Sequence, residues 1–219
     1  MQKITDLFDL TKTIAAPLFH DHDYPYEVLP HIKDFIQMFG PLLDPKLFDH
    51  PEPTVWIARD AKVAPTAFIG ENVIIDSGAE IRHCAFIRGS AIIGKGAVIG
   101  NSTELKNCVI FDGAQCPHYN YVGDSVLGYK AHMGAGAITS NVKGDKSYVV
   151  LRSGSESIDT HMKKVGAMLG DYAEIGCGSV LNPGTIIGRG TQVYPLTSVR
   201  GSIPFGMIVK SMDNIIPKE

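Results

Sequence analysis

The chain is poor in the features that mark several large classes of protein. Acidic and basic residues nearly balance, 23 against 20 for a net charge of −3, so no basic excess points to nucleic acid as a partner. No apolar run approaches the roughly 18 residues of a membrane span. The opening MQKITDLFDLTK is too acidic and too broken for a secretion signal. Cysteine is scarce: Cys84, Cys108, Cys116 and Cys177 show no CxxC spacing, and 219 residues need no disulfide staple. Free thiols in a reducing cytoplasm are the expectation, with no membrane partner. Aromatic residues are only 8% of the chain, whereas glycine is plentiful at 23 residues, which marks many tight corners and slim side chains.

What the chain does have is a repeat. Steps of six from Ile57 reach Val63, Ile69, Ile75, Ile81, Ile87, Ile93, Ile99 and Leu105, an aliphatic residue every time. Two positions before each, from Val63 onward, stand Ala61, Ala67, Val73, Ala79, Ala85, Ala91, Ala97 and Thr103. The register returns at Leu169, Ile175, Leu181, Ile187, Val193 and Val199, preceded by Ala167, Ala173, Ser179, Thr185, Thr191 and Thr197. This period fits neither a helix nor a plain alternating strand. It predicts a coil with flat faces of six residues, each sending one aliphatic and one small residue inward. Three faces give a parallel β-helix of 18 residues per turn, an all-β fold.

Residues 1–50 lack the repeat, and PYEVLPHIKDFIQMFGPLL spaces its apolar residues as a helix does, which predicts a small helical N-terminal cap closing one end of the solenoid. The β-helix is expected over 51–204, with a polar, basic loop inserted at 140–166, and a C-terminal tail at 205–219 that leaves the coil and folds back. A first break lies around CPHYNYVGD. Interruptions of a solenoid map to loops, where function usually sits.

Arg88 and Lys106 each follow an inward aliphatic residue and are 18 apart, so they are expected to stack on one corner of neighbouring coils, about 5 Å apart. Two such cations repel unless an anion is near, either Glu104 or a bound phosphate; equally, exposed coil corners are often charged. His118 follows in the first break, beside Pro117, Tyr119 and Tyr121, and imidazole is the side chain best suited to take a proton near neutral pH. A lone histidine is more often structural, and His83, His132 and His161 carry that reading too. The His20-Asp21-His22 group lacks further ligands at metal spacing and reads as a solvated loop. Cys116 has no visible base and is a poor nucleophile candidate.

With AFIRGSAIIGKGAVIGNSTELK, PHYNYVGDSVLG, MGAGAITSNVKGDK and KKVGAMLGDYAEIGCGSVLNPGTIIG, the chain resembles the acetyltransferase domain of the bifunctional glucosamine-1-phosphate acetyltransferase and N-acetylglucosamine-1-phosphate uridyltransferase family. Within it, the chain is most similar to the archaeal sugar-1-phosphate nucleotidylyltransferase/acetyltransferase type, over about residues 55–210. The resemblance implies a left-handed coil and a homotrimer, with acetyl-CoA as co-substrate and no metal. His118 falls on the general base. Arg88, Lys106 and Tyr121 fall on substrate-binding positions, and so do His132, Asn141 and Lys146, the last one residue out of register. Ala135, Cys177 and Lys210 fall where acetyl-CoA is held. His132 stands where the bacterial enzyme has asparagine, Val142 where it has tyrosine and Pro195 where a small residue is usual. No glycine-rich nucleotide loop is found in residues 1–60, so nucleotidyl transfer is not expected of this chain.

The expected activity is acetyl transfer to the amine of an amino-sugar 1-phosphate, of the glucosamine or galactosamine type, in sugar-nucleotide or cell-envelope precursor synthesis. The alternatives are a non-catalytic homologue that binds sugar phosphates or sugar nucleotides, an acyltransferase for another amine, and a purely structural trimer.

Overall fold

An aliphatic residue every six positions is buried only if the chain turns after each short strand, and that is the observed path. The computed structural model describes residues 1–218 and shows the expected left-handed parallel β-helix with a small helical cap. One face stacks Lys62–Val63, Glu80–Ile81, Val98–Asn101, Gln115–His118, His132–Met133, Glu174–Ile175, Gln192–Val193 and Met207–Ser211. The second and third faces are joined around their corner in the long strands Phe68–Ile75, Phe86–Ile93, Glu104–Ile110 and Tyr121–Leu127. Beyond these, the two faces separate into Ile138–Thr139, Val180–Leu181 and Ser198–Val199, and Ala167–Leu169, Thr185–Ile187 and Ser202–Ile203.

The prism is filled by the repeat's own residues, with Ile75, Ile81, Ile87, Ile93, Ile99 and Leu105 all buried beside Ala79, Ala85, Ala91 and Ala97. Each such aliphatic burial stabilises the fold by about 1.5–3 kcal/mol. The slim position also accepts threonine, because a corner carbonyl satisfies the hydroxyl. Thr103 donates to Cys116 O at 2.9 Å and Thr191 to Pro204 O at 2.7 Å.

The first break proves to be a shortened turn rather than a loop. Ile87 pairs with Leu105, but the next partners are Gly89 and Lys106, so Arg88 is left over as a bulge. From there successive coils have 17 residues: Cys116 sits over Ile99 and Val122 over Leu105. The second break does hold an insertion, but it is less loop-like than its composition suggests. Val150–Ser153 and Glu156–Asp159 form an antiparallel hairpin, with Val149 and Leu151 fully buried. The tail first adds a rung at Met207–Ser211 and only then turns back as Asn214–Pro217.

The largest departure from the sequence reading is where the cap lies. It does not close an end. The third face carries an outward apolar stripe, Trp56, Ile74, Ile92, Val109, Val126, Met168 and Ile186, and the cap covers it with Leu7, Phe8, Phe19, Leu29, Ile32 and Ile36, helped by Val149 and Leu151 of the hairpin. The helix Ile32–Phe39 buries Ile32, Phe35 and Ile36 on this stripe. The segment runs the length of the prism: Gln2 bonds Ser202 and Ile203, Asp9 N–H bonds Asp171, and Gln37 bonds Asn72. Phe111 is the knot of this second core, with its ring 5.1 Å from Phe8 and 5.6 Å from Phe19. Phe111→Ala is expected to cost about 3–5 kcal/mol, read as a lowered urea midpoint at unchanged slope. No described helix is long and apolar enough to cross a membrane.

Candidate functional site

The second face is a shelf bounded by two edges, and most of the residues singled out from sequence line one edge or the other. On the edge towards the third face stand Arg88, Lys106, Gly123 and Asn141. The bulge corrects the expected stacking: Lys106 is level with Gly89, not Arg88, and each cation has its own carboxylate. Arg88 Nη1 donates to Glu104 Oε1 at 2.8 Å, which raises its already high pKa. Lys106 Nζ donates to Asp124 Oδ1, also at 2.8 Å. Asp124 is a residue that the sequence reading missed. Its buried carboxylate also accepts from Asn107 Nδ2 at 2.9 Å and from Asn141 Nδ2. Asn141 meets the Tyr121 hydroxyl at 3.2 Å. Burial raises the pKa of that phenol, so it stays neutral and keeps its proton to donate. Gly123 leaves the room that this contact needs, since a Cβ there would press on the Tyr121 hydroxyl.

The opposite edge carries His118. Its rungs are fixed by one repeated bond: Tyr119 N–H to Asn101 O, Gly136 N–H to His118 O, Gly178 N–H to Ala135 O and Leu196 N–H to Cys177 O. His118, Ala135, Cys177 and Pro195 are therefore successive rungs of a single edge, and Lys210 lies on the next rung, level with Tyr194, because Val209 pairs with Val193. Four spacings of about 4.8 Å put Lys210 roughly 19 Å from His118. The imidazole is exposed and its ring nitrogens bond nothing in the described chain, while its backbone is held firmly. His118 N–H donates to Asn120 Oδ1 at 3.1 Å, and buried Asn120 spends its amide on Gly134 O and Ala137 O. Gly123 is five steps along the chain from His118, at most about 18 Å. The shelf is thus one ligand wide, with Tyr121 reaching across it.

Other candidates stand apart. His132 is not on the shelf but on the first face, where Nδ1 lies 2.9 Å from Glu174 Oε2. It shares a shallow groove of about 320 Å³ with Cys177, Tyr194 and Pro195. Lys146 is exposed in a turn of the insertion, its N–H bonded to Lys143 O. Cys116 points into the prism, and burial pushes its thiol up to about 12, which removes it as a nucleophile. His83 bonds Thr66, and His22 stacks on His31. Among the described residues no group of three or more His, Cys, Asp or Glu is placed to hold a metal.

A cavity of about 560 Å³ lies on the third edge under the cap. Its carboxylates are corner caps: Asp60 accepts from Ser77 Oγ and Gly78 N–H, Asp76 from Ser77 N–H and Asp112 from Lys95 N–H.

Known proteins agree with the motifs. The GMPPB C-terminal domain family matches residues 71–153, which hold Arg88, Lys106, His118, Tyr121, His132, Asn141 and Lys146. A bifunctional sugar-1-phosphate nucleotidylyltransferase/acetyltransferase of Sulfurisphaera tokodaii is 31% identical over 102 residues, 47% of this chain and 25% of that protein. The bifunctional protein GlmU of Methanococcus maripaludis is 29% identical over 152 residues, 69% of this chain and 32% of that one. The chain spans about a quarter to a third of the length of these relatives. Among solved structures, PerB from Caulobacter crescentus in complex with CoA and GDP-perosamine overlaps 75% of this chain and 57% of its own, at 20% identity and a TM-score of 0.28. The resemblance carried by the sequence motifs, to GlmU-type bifunctional proteins, is the one these relatives display.

Proposed function

We propose that this chain is a CoA-dependent N-acetyltransferase that acetylates the amine of an amino-sugar 1-phosphate. The observation that supports it most is the shelf: an exposed imidazole on one rigid edge, and two cations, an amide and a phenol gathered at the other. Lys106 and Arg88 each keep N–H donors beyond those given to their carboxylates, and these would hold the phosphate together with Tyr121 and Asn141. The sugar ring would then span the shelf and bring its amine to the His118 edge. The ammonium would lose one proton to solvent, the free amine would attack the thioester carbonyl, and His118 would take the second proton from the nitrogen and pass it on to the departing CoA sulfur. Gly136 N–H is already bonded to His118 O, which leaves the Ala135 N–H, free of the chain's own carbonyls, to meet the oxyanion. Acetyl-CoA would lie along the same edge past Cys177 towards Lys210. The prism is filled by its own aliphatic side chains, so the shelf needs an outer wall, and a threefold homotrimer would supply it.

The test is CoA release, followed with a thiol reagent, from acetyl-CoA and glucosamine- or galactosamine-1-phosphate. Turnover well above buffer hydrolysis is expected with one of the two. Calorimetry that shows no acetyl-CoA binding would remove every acyltransferase reading. Binding of the sugar phosphate without turnover would favour the non-catalytic homologue.

A further inference from the structure

We propose that Asp124 is the positioning residue of the anion-binding edge, one buried carboxylate that sets Lys106 and Asn141 together. The inference rests on the acetyltransferase reading for its meaning, though not for every part of its test. Asp124 occupies the left-handed corner of its coil, φ 48°, a conformation that aspartate tolerates. Its side chain is only 4% exposed, so its charge must be matched locally. Three donors converge on it: Lys106 Nζ and Asn107 Nδ2 share Oδ1, and Asn141 Nδ2 takes Oδ2.

These donors come from the two coils on either side of Asp124, and the unbroken register that sets Lys106 level with Gly123 puts Lys106 and Asn107 beside it. Lys106 is anchored by one N–H, and its side chain is about a quarter exposed, which leaves the ammonium two more N–H groups to offer. Asn141 is pinned between Asp124 and Tyr121, which fixes its amide plane. The backbone of the same residue closes the neck of the 140–166 insertion: Gly166 N–H donates to Asp124 O at 2.7 Å, and Val165 N–H to Asn141 O at 3.1 Å. Asparagine cannot replace this group. One of its two ends would present a donor to the lysine and amide donors, so Lys106 or Asn141 must swing away.

A staple that only holds coils together would, on substitution, lower the folded fraction and nothing else. A positioning residue predicts selective damage. In Asp124→Asn the KM for the amino-sugar phosphate is expected to rise roughly tenfold or more, while the KM for acetyl-CoA stays within about twofold. Lys106, released from its carboxylate, is expected to react roughly fivefold faster with an amine-selective label read by mass spectrometry, with Lys130 on another edge as the unchanged reference. If Asp124→Asn does not fold, Asn107→Gly serves. Glycine suits φ 51° and removes one donor from the shared oxygen, so both readouts should move the same way by a smaller factor. Unchanged labelling, or equal changes in both KM values, would overturn the assignment. A wild type inactive on both sugar phosphates would sink the acetyltransferase reading alone, and the labelling comparison would still decide the role of Asp124.

Discussion

His118→Ala is expected to lower kcat/KM for acetyl transfer at least about 100-fold, within the usual range for loss of a general base. The geometry makes this a clean experiment. The ring is exposed and bonded to nothing among the described residues, while the backbone ties to Asn120 and Gly136 do not involve the side chain. Stability should therefore stay within about 0.5 kcal/mol of wild type, and the KM for acetyl-CoA should barely move. A variant that turns over as fast as the wild type would refute a base at this position and leave the shelf as a binding surface.

Gly100→Ala should have the largest effect on folding. A Cβ at Gly100 would overlap the carbonyl of Pro117 in the next coil, and this clash is with backbone, which cannot rotate away. Pro117 crosses this closely where the shortened coil packs against its predecessor, directly before His118. A loss of more than about 4 kcal/mol is expected, seen as little soluble protein or a collapsed denaturant midpoint. Gly96→Ala is the matched control. Its φ of 61° strains alanine, but the space beside it is open, so only about 1–2 kcal/mol should be lost. Equal losses in the two variants would mean that the contact at Pro117 relaxes and does not set the height of His118.

The coil was legible because burial acts on each sixth residue separately, leaving Ile81, Ile87 and Ile93 as a direct trace of the prism. The shortened turns showed only as a break in the repeat and read as a loop, because one missing corner residue alters no inward residue type. Arg88 and Lys106 keep a spacing of 18 in the chain while a bulge moves them out of line. The cap's position was hidden for a related reason: Trp56, Ile74, Ile92 and Val109 alternate with the inward residues and mark an outward stripe, but spacing alone does not say what lies on it. Of the site, the cations, imidazole and phenol stood out by type. Asp124 did not, since an aspartate in a GDS turn reads as ordinary corner chemistry until three donors are seen to meet there. The hydrophobic half of the 140–166 segment, Val149 to Leu151, was masked by its polar neighbours.

A stack whose layers touch only their neighbours can shed its outermost layers one at a time, because each departure breaks a single interface. The N-terminal stretch rules that out here. It grips Ser202 and Ile203 at one extremity, Asp171 and Asp112 midway, and Asn72 near the other, like lacing drawn down one flank. Neither extremity can peel without loosening a cord fastened at the far side, so the whole length melts together, and the imidazole's height above its surroundings holds for as long as any of it is folded.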